Sequence, residues 1–127
     1  SQNIWNSSPA GYRNKLLRSL IDDFDADICA FQDGSAPIET MREFLRETKK
    51  LCDEFNIEHW VNTETFERDV RCMYYPIPFN LLRQKLDMHK EYAEKIITFE
   101  FSHFLSPQSI YPSARNLNRL YRNHYKR

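Results

Sequence analysis

Polar residues cluster where short apolar runs give way to loops. Gln32 and Asp33 close one such run, Asn62 and Glu64 close a second, and Glu100 and His103 sit at the end of a third. Carboxylates, amides and imidazoles are the groups that relay protons and hold hydroxyls. Side chains alternate along a strand, so Trp60, Asn62 and Glu64 are expected on one face, and Thr98, Glu100 and Ser102 likewise. Helices packed against Val61 and Thr63 would turn Glu64 the other way, inward and at the rim. A carboxylate there is partly desolvated yet open to a ligand, and desolvation tunes an acid for proton transfer. Cleavage of a glycosidic bond uses two carboxyl groups separated by about 5–10 Å. Glu64 and Asp33 are the expected catalytic pair, on different strands and facing one pocket. Gln32, Trp60, Asn62, Glu100 and His103 are expected to bind substrate around them.

Each residue also has a plainer role. Asp33 precedes Gly34, and Asp-Gly is a common turn pair. Glu64 also reads as a helix-start or surface acid, Glu100 as a buried structural acid, and His103 as a scaffold hydrogen-bonder. The stretch 65–77 is long for a βα loop and contains Phe66, Tyr74 and Tyr75. Long loops in compact domains tend to be functional. The two tyrosines would stack on sugar rings or simply cover an edge.

These residues are carried by a regular alternation of elements. Ser8-Pro9 signals a helix start, and Tyr12, Leu16, Leu17, Leu20, Ile21 and Phe24 recur on one helical face. Residues 27–32 read as a buried strand. A helix opened by Pro37 follows, with an apolar stripe from Ile38 to Phe55, and Asn56 stops it. Residues 57–63 form a second strand. Pro78 introduces a third helix marked by Leu81, Leu82, Lys85, Leu86, His89, Tyr92, Ala93 and Ile96. Residues 96–101 form a third strand, and a last helix runs from about Pro112, with Leu117, Leu120, Tyr121 and His124 inward. Such α-β alternation implies parallel strands covered by helices.

The expected fold class is therefore α/β, with about three strands and four helices in parallel β/α units. Three strands are too few for a doubly wound domain, and a (β/α)₈ barrel needs about 250 residues against the 127 present. The reading is a single domain fragment over 1–127, the C-terminal part of a TIM-type barrel. A small open sheet with weak strands is the alternative. An open edge of three parallel strands should pair, so self-association or a missing segment is expected there.

Composition narrows the function classes. Hydrophobic residues make up 41% and aromatics 14%, an ordered globular composition. Lys+Arg and Asp+Glu number 18 each, so net charge gives no case for nucleic acid. The basic tail 115–127 is interrupted by apolar residues at helical spacing and reads as a solvated helix face. No apolar run spans a bilayer. Cys29, Cys52 and Cys72 lack the spacing of a zinc site or a disulfide framework. No metal or cofactor is expected, and no phosphate loop or acyl-transfer motif is present.

Three strand-end motifs resemble a known family: Phe31-Gln32-Asp33-Gly34, then Trp60-Val61-Asn62-Thr63-Glu64-Thr65-Phe66-Glu67, then Phe99-Glu100-Phe101-Ser102-His103-Phe104-Leu105-Ser106-Pro107. Tyr75-Pro76-Ile77-Pro78 fits the same pattern. They are similar to those of the bacterial domain of unknown function 4434, over roughly residues 8 to 112. That family is regarded as glycoside-hydrolase-like TIM barrels. The resemblance implies a barrel fold, a carbohydrate ligand, a periplasmic or secreted location, and Asp33 and Glu64 as the positions to carry over. Earlier strands of the family are absent here, and the family has no settled activity to transfer. The function expected is a glycoside-hydrolase-like protein acting on or binding carbohydrate. The alternatives are a non-catalytic carbohydrate-binding or scaffold domain, and a signalling-type α/β domain, which would require five parallel strands.

Overall fold

A computed structural model of the chain describes residues 11, 15, 17–34, 36–71 and 73–126. The predicted helix start at Ser8-Pro9, with Tyr12 and Leu16, and the thiol of Cys72 lie outside these residues. The described elements run α1 (Arg18–Phe24), β1 (Ile28–Gln32), α2 (Ile38–Phe55), β2 (Glu58–Glu64), β3 (Phe66–Arg68), β4 (Tyr74–Pro76), α3 (Phe79–His89), β5 (Lys95–Phe99), α4 (Phe101–Phe104) and α5 (Pro112–Tyr125).

Among the described residues β1, β2 and β5 form one parallel sheet in that order, with Gln32 beside Asn62 and Glu64 beside Phe99. The three strands are those expected, within a residue or two. The five-strand sheet of the signalling-type alternative does not form among them. Pro37 and Pro78 stand at the N-caps of α2 and α3, where a missing N–H costs nothing. Asn56 ends α2 in the left-handed region at φ 54°, a conformation asparagine tolerates. Gly34 takes φ 53° in the turn after β1, as the Asp-Gly pair predicts.

The helices cover one face of the sheet. Phe31 packs with Ile21, Leu51 and Cys52; Val61 packs with Met41, Leu45 and Met88; Ile96 packs against Leu82, Leu86 and Leu117. On the opposite face Ile28, Ile97 and Phe99 remain 43%, 37% and 42% exposed. In a barrel this second face turns inward and is covered by further strands. A parallel sheet clothed on one side only, in β/α order, is consistent with part of a TIM-type barrel.

Two expectations need correction. Residues 65–77 are not an irregular loop. Strands β3 and β4 pair antiparallel, Phe66 opposite Pro76 and Arg68 opposite Tyr74. The Asp69 carboxylate accepts from the Arg71 and Met73 amides and closes the turn. Strands of three residues are too short for periodicity to reveal them. The third strand also stops at Phe99, earlier than predicted, so Thr98, Glu100 and Ser102 do not share a strand face. A cis peptide joins Phe99 to Glu100, and residues 101–104 turn into the short extra helix α4. That turn buries Phe104 between Phe66 and Tyr111, which rewards helix over continued strand.

Two histidines lie fully buried in the helix-facing layer. His59 Nδ1 donates to the Tyr92 carbonyl, and its Nε2 meets Thr48 Oγ1 at 2.9 Å. His89 Nδ1 meets Thr63 Oγ1 at 2.7 Å. Burial, with the nearby Lys85 charge as a second cause, pushes His89 down to about 4. An unfolded histidine titrates near 6.5. Between these values the unfolded chain binds the extra proton, so stability is whole above pH 6.5 and is lost as pH falls toward 4. The expected loss from His89 is about 3 kcal/mol. Urea denaturation at pH 7.5 and 4.5, compared with His89→Asn, checks this. An equal acid loss in both proteins would show that His89 is not the cause.

Candidate functional site

The carboxyl ends of β1, β2 and β5 converge, and Glu64 stands at their centre. Val61 and Thr63 face the helices, so alternation turns Asn62 and Glu64 to the opposite side. Gln32 shares that side and donates from Nε2 to Glu64 Oε1 at 2.5 Å. Glu64 is only 5% exposed although it ends a strand. Asn62 Oδ1 is buried and accepts no hydrogen bond among the described residues, which leaves an acceptor beside Gln32 and Glu64.

The expectation that Asp33 and Glu64 face one pocket is not met: Asp33 takes the other direction, drawn by the Lys85 charge. Its side chain is fully buried on the helix side, with Oδ2 3.0 Å from Lys85 Nζ and 3.9 Å from His89 Nε2. It reaches Glu64 through the backbone: Asp33 Oδ1 accepts the Glu64 amide at 3.1 Å. Lys85 Nζ donates to the Glu64 carbonyl at 3.4 Å. The Asp33–Lys85 pair therefore clamps the Glu64 peptide on both sides. Burial pushes the Asp33 carboxyl above its ordinary range, and the Lys85 ammonium and the Glu64 amide pull it partly back. Neither Lys85 nor His89 was singled out as a site residue from the sequence. Both fell on the apolar stripe of the third helix, and a lysine on such a stripe was the available signal.

The other expected residues spread around this centre. Trp60 lies toward the opposite end of β2, where its Nε1 donates to Glu58 and Lys95 sits 4.3 Å from its ring centroid. Tyr74 and Tyr75 are exposed on the β3–β4 ribbon. Tyr74 packs edge-on against Phe66, and Tyr75 donates its hydroxyl to Glu67. Phe66 in turn contacts Phe99 of β5, which ties the ribbon to the rim of the sheet. Glu100 and His103 pair with one another just after β5, with Ser102 Oγ beside both. No grouping of metal-ligating side chains occurs among the described residues. No described helix is long and apolar enough to cross a membrane.

The arrangement offers one buried carboxylate held at its peptide and at one oxygen, with amide donors and acceptors alongside. That set can bind hydroxyls and can exchange a proton with a ligand atom.

Comparison with known proteins bears on what that ligand is. A family profile described as Domain of unknown function (DUF4434) matches residues 3–111. The chain is similar to the crystal structure of "a putative alpha-L-fucosidase from Bacteroides thetaiotaomicron VPI-5482", at 38% sequence identity and a TM-score of 0.86. The match covers 94% of this chain and 38% of that one, so the chain spans well under half of that relative. No curated protein matches.

Proposed function

Since the chain belongs to the DUF4434 family, we propose that it is a carbohydrate-active unit of glycoside-hydrolase type, with Glu64 as the reacting carboxylate and Asp33 assisting it. The observation that carries this reading is the grip on Glu64. Asp33 holds its N–H, Lys85 its carbonyl and Gln32 its carboxylate. A catalytic group must stay within a fraction of an ångström of its productive position, and supporting hydrogen bonds provide that.

The chemistry is hydrolysis of a glycoside. As general acid, Glu64 gives its proton to the glycosidic oxygen while the bond from the anomeric carbon to that oxygen breaks. Water then supplies hydroxide to the anomeric carbon and its remaining proton to a base. As nucleophile, the Glu64 carboxylate instead bonds to the anomeric carbon as the bond to the glycosidic oxygen breaks and that oxygen takes a proton from water; a second water then cleaves the glycosyl ester and restores the carboxylate. Asp33 serves either route by fixing the Glu64 peptide. Gln32 and Asn62 orient the carboxylate and accept or donate to sugar hydroxyls. The solved relative, described as a putative alpha-L-fucosidase, supports the same substrate class.

A screen of the full-length protein against aryl glycosides, an α-L-fucoside among them, and against polysaccharides tests the reading. Release of reducing sugar from at least one substrate is expected. A folded protein that releases sugar from none would overturn it. The second reading, a non-catalytic carbohydrate binder, draws on the exposed Tyr74 and Tyr75. Glycan binding without any hydrolysis, unchanged by Glu64→Gln, would establish that reading instead.

A further inference from the structure

The Glu100–His103 pair is a second functional unit at the same rim. We propose that His103 presents an unprotonated Nε2 to the substrate as a hydrogen-bond and proton acceptor, and that Glu100 positions it; this rests on the glycoside reading above.

The pair sits on a fixed mount. Strand β5 ends at Phe99, the register partner of Glu64. Thr65 holds the adjoining backbone, its amide and hydroxyl donating to the Phe99 carbonyl at 2.8 and 3.1 Å. On the far side Ser109 Oγ donates to the His103 carbonyl, and Phe104 is buried. Yet the His103 side chain is 61% exposed. An exposed imidazole on a backbone pinned from both directions is a group held out for contact.

Its tautomer follows from its neighbours. Glu100 Oε2 accepts from Nδ1, and a carboxylate can only accept from it. In the neutral ring the proton is then on Nδ1, and Nε2 carries the lone pair. Ser102 Oγ lies 3.2 Å from Nδ1 and 3.3 Å from both Glu100 oxygens, so it braces the carboxylate and does not occupy Nε2. No hydrogen bond to Nε2 forms among the described residues. The arrangement is that of an oriented histidine base. The helix packed beside it brings Arg115, whose guanidinium is engaged by the Ser109 carbonyl, and Tyr111 stacks on Phe104. Glu100 is thus the charged group in contact with the imidazole.

When a sugar hydroxyl donates to Nε2, the ring keeps the hydrogen bond and the proton stays on the sugar. When the attacking water donates there, Nε2 takes the proton that water loses as its oxygen bonds to the anomeric carbon and the bond to the glycosidic oxygen breaks, and the imidazolium is paired with the Glu100 carboxylate.

The test uses the full-length protein and whichever glycoside it cleaves. His103→Phe should lower kcat/KM roughly tenfold or more, with His103→Gln falling less because its amide can still accept. Glu100→Gln should lower kcat/KM less than His103→Phe and let the Nε2–H tautomer appear in the ring spectrum, since the amide no longer fixes the proton on Nδ1. Nitrogen-15 NMR of the native protein should show Nδ1–H and a bare Nε2 in the neutral ring, whether or not turnover occurs. An Nε2–H tautomer overturns the proposal outright. Turnover that His103→Phe leaves within twofold, while Glu64→Gln abolishes it, sinks this role and spares the glycoside reading. Absence of turnover on every glycoside removes both.

Discussion

Glu64→Gln in the full-length protein is expected to lower kcat on a cleaved glycoside by about 10²- to 10⁴-fold, the usual contribution of a positioned acid or base. Glutamine has the same shape and keeps an oxygen to accept the Gln32 amide, which now meets Glu64 Oε1. Its backbone still receives Asp33 and Lys85. The variant should therefore fold with an unchanged melting temperature and bind ligand comparably, losing only the group that exchanges a proton or attacks carbon. Initial rates and calorimetric Tm on matched preparations check this. A loss of less than about fivefold would show that Glu64 does not react. A fall in Tm of many degrees would mean that its buried carboxylate is chiefly structural.

Lys85→Met is expected to give the largest loss of stability. Methionine matches the length of the lysine stem and fits the buried site, but it leaves Asp33 without its cation. Both side chains are almost wholly buried, and their charged atoms are 3.0 Å apart. Breaking a buried pair from one side costs about 3–5 kcal/mol, because the surviving charge is stranded. Asp33, already pushed up by burial, would then be pushed further toward its protonated form, since the Lys85 charge that pulls it back is gone. The double variant Asp33→Asn with Lys85→Met should recover most of the stability, since a neutral amide replaces the stranded charge. It should not recover activity in full, because the Lys85 contact to the Glu64 carbonyl stays missing. Denaturant unfolding of the two variants decides the matter. A single variant within about 1 kcal/mol of the native protein would mean that the pair carries no net charge interaction.

The two effects separate along the alternation of β2. On the helix side Val61 and Thr63 pack into the core; on the other side lie Asn62 and Glu64, the residues proposed to meet a ligand. A substitution on the first side registers mainly in stability, and on the second mainly in rate.

Much of this frame was legible in the residues alone. Period-2 alternation from Trp60 to Glu64 assigned the faces of β2, because pleating is local and needs no knowledge of the rest of the chain. Proline before α2 and α3 and asparagine after α2 marked helix ends through dihedral preferences that belong to those residues. The strict α-β order required parallel strands. The direction of Asp33 could not be read that way. It follows the last residue of β1, where pleating no longer dictates orientation, and a lysine on a helix some fifty residues later in the sequence captured it. The ribbon of β3 and β4 was hidden because three-residue strands carry no period and exist only through their pairing. The end of β5 was decided by Phe104, which gained more by burying against Phe66 and Tyr111 than a longer strand would have gained. Local stereochemistry thus set the elements and their faces. Long-range packing and charge pairing decided which polar groups stay with the core and which reach the rim.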